Sequence, residues 1–318
     1  MKISAVIINH NGEKFLENCI NSVLAQQLKP LEVLVIDSCS TDASGSILKK
    51  YADLKVVLLK NNIGFGAAAN IGIRKSFGDY ILILNSDTRL QADFLLKLSA
   101  AAEKLDGTFG MFSGKLLRMQ DENLADSAGQ FIRRSLRPIE RNYGKPDKGY
   151  ASGQCFFACG AVMLLKRDML ESVKEQEQYF DEDLFMYFED FDLGLRANAL
   201  GWKCYYEPGA VAFHYRGGSE RQQENKFFLF RKKNLQLKRH LLANRYLVLA
   251  KNAPFSLILR NLPFILLYEV FFWLYLLVFD IRVIPGMKKY FKLRRRMKEK
   301  GKQIRNKIMK TGIQKWII

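Results

Sequence analysis

Four short apolar runs, each followed by an amphipathic stretch, constrain this chain more than any other feature. "ISAVIIN" (3–9), "LEVLVID" (31–37), "KVVLLK" (55–60) and "YILILN" (80–85) are short and rich in β-branched residues. Their continuous apolar character is the pattern of strands buried on both faces. The stretches at 13–26, 42–51, 66–76 and 91–104 have helical spacing. Strands alternating with helices predict an α/β fold, a mostly parallel sheet flanked by helices. Ligands of such sheets sit at the carboxyl ends of the strands. Asn9, Asn11, Asp37, Asn61, Asn62 and Asp87 all fall at such ends.

The remainder is less regular. Residues 120–150 are polar and rich in Arg, Gly and Pro, which predicts a long mobile loop. Core composition returns at 153–167, and an acidic-aromatic cluster, "YFDEDLFMYFEDFDLGLRA", follows within 179–200. The character changes near residue 225, which divides the chain into a first part (1–225) that carries the strand-end residues and a C-terminal part (226–318). Residues 226–251 read as a basic helix. Residues 255–285 are strongly apolar but interrupted by Arg260, Pro263, Glu269 and Asp280. Leu262 to Phe279 approaches the roughly 20 apolar residues of a spanning helix. A charge at Glu269 is costly in lipid unless paired, so interfacial or hairpin-like insertion fits better than a full span. The alternative is a buried helix of a soluble domain.

The net charge of +18 implies a polyanionic partner. From Lys288 onward Glu299 is the only acid. A basic run directly after an apolar segment suits an anionic membrane surface rather than nucleic acid. The five cysteines form no CxxC pair, and the N-terminus has too short an apolar run for a signal peptide, so reduced thiols are expected.

Several residues carry chemistry by type and place. Asp37, at a strand tip before Ser-rich turn residues, can accept hydrogen bonds from a ring N–H or a ribose hydroxyl; Asp42 suits a helix cap. "NNIGFGAAAN" (61–70) is a glycine-rich turn after a strand, but it lacks the Lys-Ser/Thr of a P-loop. Asn70 is placed to reach into a site. Asp87, in "NSD" (85–87), is an oxygen ligand of the kind Mg²⁺ and Mn²⁺ prefer. "FEDFD" (188–192) crowds Glu189, Asp190 and Asp192, which repel unless something cationic or catalytic uses them. Asp190 suits a general base, and Asp192 a helix N-terminus. His214, before Arg216 and Gly217-Gly218-Ser219, suits a loop closing on phosphate.

Taken in order, "VIINHNG", "VIDSCSTDAS", "NIGFGAAANIGI", "GDYILILNSDT", "FMYFEDFDLGLRA" and "YYEPGAVAFHYRGGS" resemble a family 2, GT-A-fold glycosyltransferase over roughly residues 2–220. Bacterial rhamnosyltransferase-like enzymes share this pattern most closely; galactofuranosyl and other hexosyl transferases share much of it. The resemblance implies that Asp87 is the metal-binding acid of a DxD-type motif, here with Asn85 in its first place, and that His214 helps hold Mg²⁺ or Mn²⁺ and the diphosphate. It implies a nucleotide-sugar site of Asn9, Asn11, Asp37, Asn62, Gly64, Asn70, Asn85, Ser86, Glu189 and Arg216. Asp190 would be the base of an inverting transfer. His10 and Ser38 depart from the usual Tyr and Asn, which touches base recognition rather than chemistry. The implied donor is dTDP-L-rhamnose, with a UDP-sugar as alternative. The implied acceptor is a polyprenyl-diphosphate-linked or polysaccharide chain at the cytoplasmic face of the plasma membrane.

Two rival classes fit less well. A Rossmann oxidoreductase requires GxGxxG after the first strand, where "NHNGEKF" stands. A nucleic-acid binder calls for a basic groove interleaved with aromatics, whereas the basic excess here follows a lipid-like segment.

Overall fold

The computed structural model describes residues 1–215, 230, 233–308 and 312–318. The apolar runs form strands β1 (Ile3–Asn9), β2 (Glu32–Asp37), β3 (Lys55–Leu58) and β4 (Tyr80–Asn85). Between and after them lie α1 (Leu16–Leu24), α2 (Ser44–Leu48), α3 (Phe65–Lys75) and α4 (Phe94–Glu103), the last preceded by the short β5 (Thr88–Leu90). There follow β6 (Phe109–Arg118), β7 (Asp121–Ser127), β8 (Gln130–Ile132), β9 (Pro138–Glu140), β10 (Gly153–Cys155), β11 (Val162–Lys166), α5 (Arg167–Val173), α6 (Glu189–Ala199) and β12 (Lys203–His214).

The main sheet has the order β10-β12-β6-β11-β4-β1-β2-β3. β3, β2, β1 and β4 are mutually parallel, as are β6 and β12, while β11 and β10 run against their neighbours. This is the mostly parallel sheet of the GT-A fold. Strand pleating explains the continuous apolar runs. Val6, Ile8, Leu34 and Ile36 enter one core with α3, whereas Ala5, Ile7, Val33 and Val35 enter a second core with α1. β1, β2 and β4 are therefore buried on both faces, whereas β3, at the sheet edge, is partly exposed.

The expected mobile loop at 120–150 is not what forms. β7 pairs antiparallel with β6, and β8 pairs with β9. Backbone pairing satisfies this polar stretch without a continuous apolar pattern, and the few apolar residues, among them Ile132 and Leu136, are spent on the core.

Among the described residues, five α-helices follow β12: α7 (Leu235–Asn252), α8 (Phe255–Arg260), α9 (Leu262–Phe279), α10 (Met287–Lys300) and α11 (Lys302–Ile308). Leu247, Val248, Met297, Ile304 and Trp316 join the same core as α3 and α6. Buried charge also ties these helices to the sheet side. Lys251 Nζ donates to Asp181 (2.8 Å) and Asp192 (3.0 Å) and pairs with Glu175 (2.7 Å). Asp192 thus serves a buried ion cluster, shared with Arg196 (2.9 Å), rather than only a helix N-terminus.

α9 is the apolar segment. It is long and apolar enough to cross a membrane, yet only 11% of it is buried against the protein. Ile265, Tyr268, Glu269, Phe272 and Leu276 mark the face turned inward; Leu267, Val270, Phe271, Leu274 and Val278 are exposed. Glu269 is compensated from α7: Arg245 Nη2 donates to it at 2.6 Å, and the Tyr246 hydroxyl also donates.

Candidate active site

The carboxyl edge of the sheet gathers most of the predicted residues. Asn9 ends β1 and Asp37 ends β2, paired in register. Asn9 Nδ2 donates to Asp37 Oδ2 at 2.6 Å, and Ser40 closes the other side of the carboxylate through its N–H (2.9 Å) and hydroxyl (2.7 Å). Asn11 takes a left-handed φ of 53° and accepts from the Thr41 N–H at 2.8 Å, joining the two strand-end loops. A Cβ on Gly12 would stand 2.2 Å from Asn9 Oδ1 and 2.6 Å from Ser86 Oγ. Only glycine lets these loops approach each other here.

Next to this edge, β12 ends at His214. Its Nδ1 faces Asp126 Oδ2 at 2.8 Å and its Nε2 faces Asp87 Oδ1 at 3.5 Å. A carboxylate can only accept, so Asp126 fixes the Nδ1–H tautomer and leaves the Nε2 lone pair aimed at Asp87. Two acceptors then oppose each other unless a cation lies between them. Without a metal that cation is a proton. Burial works against the imidazolium, but the carboxylates of Asp126 and Asp87 outweigh it and lift the His214 pKa to about 9. Asp87 Oδ1 is buried and, among the described residues, meets no polar partner but the His214 ring. The donor set therefore fits a divalent cation held by Asp87 and His214. With only two side chains, the remaining positions fall to ligand oxygens.

Asp190 opens α6. Gln130 Nε2 donates to its Oδ2 at 2.8 Å and the Gly160 N–H at 3.2 Å. Ala161, beside Gly160, accepts from the Asn85 N–H at 2.9 Å, which links this carboxylate to the "NSD" strand end. Burial raises the Asp190 pKa above its ordinary value, against the hydrogen bonds from Gln130, Phe191 and Gly160. Burial and then the charge of Asp190 push the Glu189 pKa up to about 8, so its carboxyl is mostly protonated at neutral pH.

The segment leading to these acids is strained. Phe185 has φ 65° and ψ −62°, and the Met186 N–H closes back onto the Leu184 carbonyl at 2.8 Å. This is the rare γ-turn. Tyr187 and Phe188 follow with φ of 68° and 72°. The Asn244 carboxamide of α7 holds the segment, donating to the carbonyls of Leu184 (2.7 Å), Met186 (2.8 Å) and Tyr187 (2.9 Å). Lys289 of α10 adds a bond to the Leu184 carbonyl at 3.0 Å and another to Asn244 Oδ1 at 2.9 Å. Burial lowers the Lys289 pKa to about 8.

Residues 4–174 match the family model described as glycosyl transferase family 2. The chain belongs to that family. It is similar to the succinoglycan biosynthesis protein ExoO of Rhizobium meliloti, 29% identical over 235 residues, covering 68% of this chain and 62% of that protein. It is also similar to the N-acetylglucosaminyl-diphospho-decaprenol L-rhamnosyltransferase of Mycobacterium tuberculosis, 24% identical over 254 residues, covering 68% and 77%. Among solved structures, the mannosyltransferase PcManGT of Pyrobaculum calidifontis, in complex with GDP-Man and Mn²⁺, shares the fold. The TM-score is 0.52 at 17% identity, covering 99% of this chain and 84% of that one. The chain spans from 14% to 62% of the length of the first curated relatives it matches.

Within this family 2 framework the structure sorts the residues named from sequence. Asn9, Asn11, Asp37 and Ser86 share the carboxyl edge of the sheet; Asn85 and Asp87 continue from it, and Asp87 meets His214. Glu189 and Asp190 sit together at the start of α6. Asn62 is turned to its own loop, accepting from the Gly64 N–H at 3.0 Å. Gly64 has φ +83°, and a Cβ there would lie 2.2 Å from the Phe185 carbonyl oxygen, so it abuts the strained segment. The assignment of Asn70 to the ligand site is corrected. Its amide donates to Phe180 O and Glu182 Oε1 (both 2.9 Å) and accepts from the N–H groups of Tyr179 (3.2 Å) and Phe180 (2.8 Å). A carboxamide with four bonds made has nothing left for a ligand. Arg216 lies outside the described residues. Four site residues went unseen in the sequence: Asp126, Gln130, Asn244 and Lys289.

Proposed function

We propose that this chain is a metal-dependent inverting glycosyltransferase that moves a sugar from a nucleotide donor to a lipid-linked or polysaccharide acceptor. The observation that carries the reading is the opposition of Asp87 Oδ1 and His214 Nε2, 3.5 Å apart, with Asp126 holding the other ring nitrogen. Asp87 and His214 would hold Mg²⁺ or Mn²⁺, which when bound neutralises charge on the leaving diphosphate. Manganese in the PcManGT complex supports a divalent ion without choosing between the two.

Asp37 accepts from the donor base or ribose, braced by Asn9 and Ser40; Asn11 and Ser86 line the same pocket. Asp190 takes the proton of the acceptor hydroxyl as that oxygen bonds to the anomeric carbon and the bond to the diphosphate breaks. Its raised pKa strengthens it as a base, and the bonds from Gln130 and Gly160 fix its direction. A single displacement inverts the anomeric centre and needs no protein nucleophile.

L-Rhamnose from dTDP-rhamnose is the favoured donor, supported by the similarity to the mycobacterial rhamnosyltransferase. That similarity, with the one to ExoO, also supports a polyprenyl-diphosphate-linked acceptor in surface-glycan assembly. Residues 1–225 would then be the catalytic part. Residues 226–318 would seat it on the cytoplasmic face of the plasma membrane through the exposed face of α9, as a peripheral or monotopic protein. A thermal-shift screen of dTDP-rhamnose, UDP-GlcNAc, UDP-galactose and GDP-mannose, each with Mg²⁺ or Mn²⁺, tests the donor. Stabilisation by dTDP-rhamnose above the others, lost in Asp87→Ala, is expected. A stronger response to a UDP- or GDP-sugar reassigns the donor, and no metal-dependent response to any of them removes the proposal.

A further inference from the structure

The β8–β9 hairpin carries positive charge that the proposed reaction does not use. Its turn is "RRSLR" (133–137), closed by backbone hydrogen bonds. The Leu136 N–H donates to the Arg133 carbonyl (2.7 Å), the Arg133 N–H donates to the Arg137 carbonyl (2.8 Å), and Leu136 is anchored in the core. Arg134 and Arg137 are thereby held along the edge of α9, with Arg133 exposed beside them. The Arg134 guanidinium lies 4.6 Å from the Phe264 ring centre and that of Arg137 lies 3.7 Å from the Tyr268 ring centre. Arg245 of α7 approaches the same Tyr268 ring at 4.7 Å.

The guanidiniums of Arg134, Arg137 and Arg245 thus gather at the N-terminal half of α9, and Arg133 is near enough for its charge to act on Arg137. Among the described residues a single carboxylate, Glu269, pairs with any of them, and it pairs with Arg245. Arg245 is only 3% exposed, and its Nη1 is buried with no hydrogen-bond partner. The cations feel one another: burial, and then Arg245 and Arg133, lower the Arg137 pKa against the opposing pull of Tyr268. The Ile318 chain end touches this hairpin through the Arg134 backbone N–H (3.2 Å), not through a guanidinium. Crowding like charges beside an exposed apolar helix is unfavourable unless an anion from outside completes the cluster. Guanidinium forks match phosphate geometry in pairs of hydrogen bonds.

We propose that Arg133, Arg134 and Arg137, backed by Arg245, form a binding site for the phosphate of an anionic phospholipid headgroup at the edge of the α9 apolar face. The inference rests on the reading that α9 beds into a bilayer. It adds a defined headgroup contact, made by the catalytic part of the chain. Lipid phosphates lie where an interfacial helix half-enters the membrane, so the apolar face and the arginines can be engaged together.

The test is co-sedimentation of the full chain with vesicles of phosphatidylcholine alone and of phosphatidylcholine mixed with phosphatidylglycerol. The wild type should prefer the mixed vesicles. At about five-fold per basic residue, R133Q/R134Q/R137Q should bind them about a hundred-fold more weakly. Its binding to phosphatidylcholine, and its stabilisation by the donor, should match wild type. Lysine at the three positions should recover part of the loss; full recovery would reduce the site to a diffuse potential and overturn it. Equal binding of wild type and the glutamine variant to mixed vesicles overturns the headgroup site while leaving membrane association standing. If wild type binds neither vesicle, the membrane reading itself fails, as it does if L267S/F271S/L274S sediments like wild type. If the glutamine variant keeps vesicle binding but loses affinity for inorganic pyrophosphate, the arginines serve a lipid-linked diphosphate instead, and the headgroup proposal falls.

Discussion

Lys251→Met probes the joint between the C-terminal helices and the sheet. The Lys251 side chain is fully buried, and its Nζ meets Glu175, Asp181 and Asp192 at 2.7, 2.8 and 3.0 Å. Arg196 and Lys300 are the other cations of this cluster. Methionine keeps most of the volume and removes the cation that Glu175, Asp181 and Asp192 share, so one buried negative charge goes uncompensated. Breaking a buried pair from one side costs about 3–5 kcal/mol. At about 2.1 cal/mol/K of unfolding entropy per residue, that lowers Tm by roughly 4–8 °C in a chain of 318 residues. Burial alone would raise the pKa values of Asp181 and Asp192; Lys251 with its neighbouring cations holds both below the ordinary carboxylate value. A depressed carboxylate contributes stability above its unfolded pKa and loses it as pH falls through the folded one. The gap between wild type and variant should therefore be full at pH 7 and shrink below about pH 4 as the carboxylates take up protons. Urea unfolding at both pH values measures it. Adding Asp192→Asn to the variant should restore part of the stability. A loss under about 1 kcal/mol at pH 7, or the same loss at both pH values, would refute the buried-charge argument.

Three further outcomes are expected. Asn244→Ala should release the strained Leu184–Tyr187 segment and lower kcat by roughly ten- to a hundred-fold with little change in donor KM; steady-state kinetics showing a rise in donor KM alone would contradict the clamp. Glu189→Gln should retain most activity at pH 7, because a carboxyl with pKa about 8 is already mostly protonated there; inactivity of this variant would make Glu189 the base instead. Asp126→Asn should weaken metal binding by roughly ten- to a hundred-fold, as for other partners of a ligating histidine, and calorimetric titration with Mn²⁺ measures it.

The β/α alternation of the first hundred residues was legible because strands buried on both faces leave an apolar run no helix would carry. The strand-end residues followed from that topology. What stayed hidden depended on tertiary pairing. Asp126 is one acid in a polar stretch, and only its meeting with His214, 88 residues later, gives it a role. Asn70 looked like a ligand contact because an asparagine after a glycine turn has the same letter whether it faces solvent or the backbone of 179–180. Residues 226–251 read only as a basic helix, yet Lys251 and Arg245 are buried against acids from distant segments. Asn244 offered no sequence signal, since its partners are carbonyl groups and any residue supplies those.

The central claim is that Asp190 removes the acceptor proton while the strand-end pocket holds the donor. Donor affinity and sugar transfer measured side by side on Asp190→Asn, in the presence of metal, address it directly. The account predicts donor affinity within about threefold of wild type and transfer reduced by at least about a hundred-fold, the usual range for a lost general base. Transfer at the wild-type rate by Asp190→Asn would contradict it.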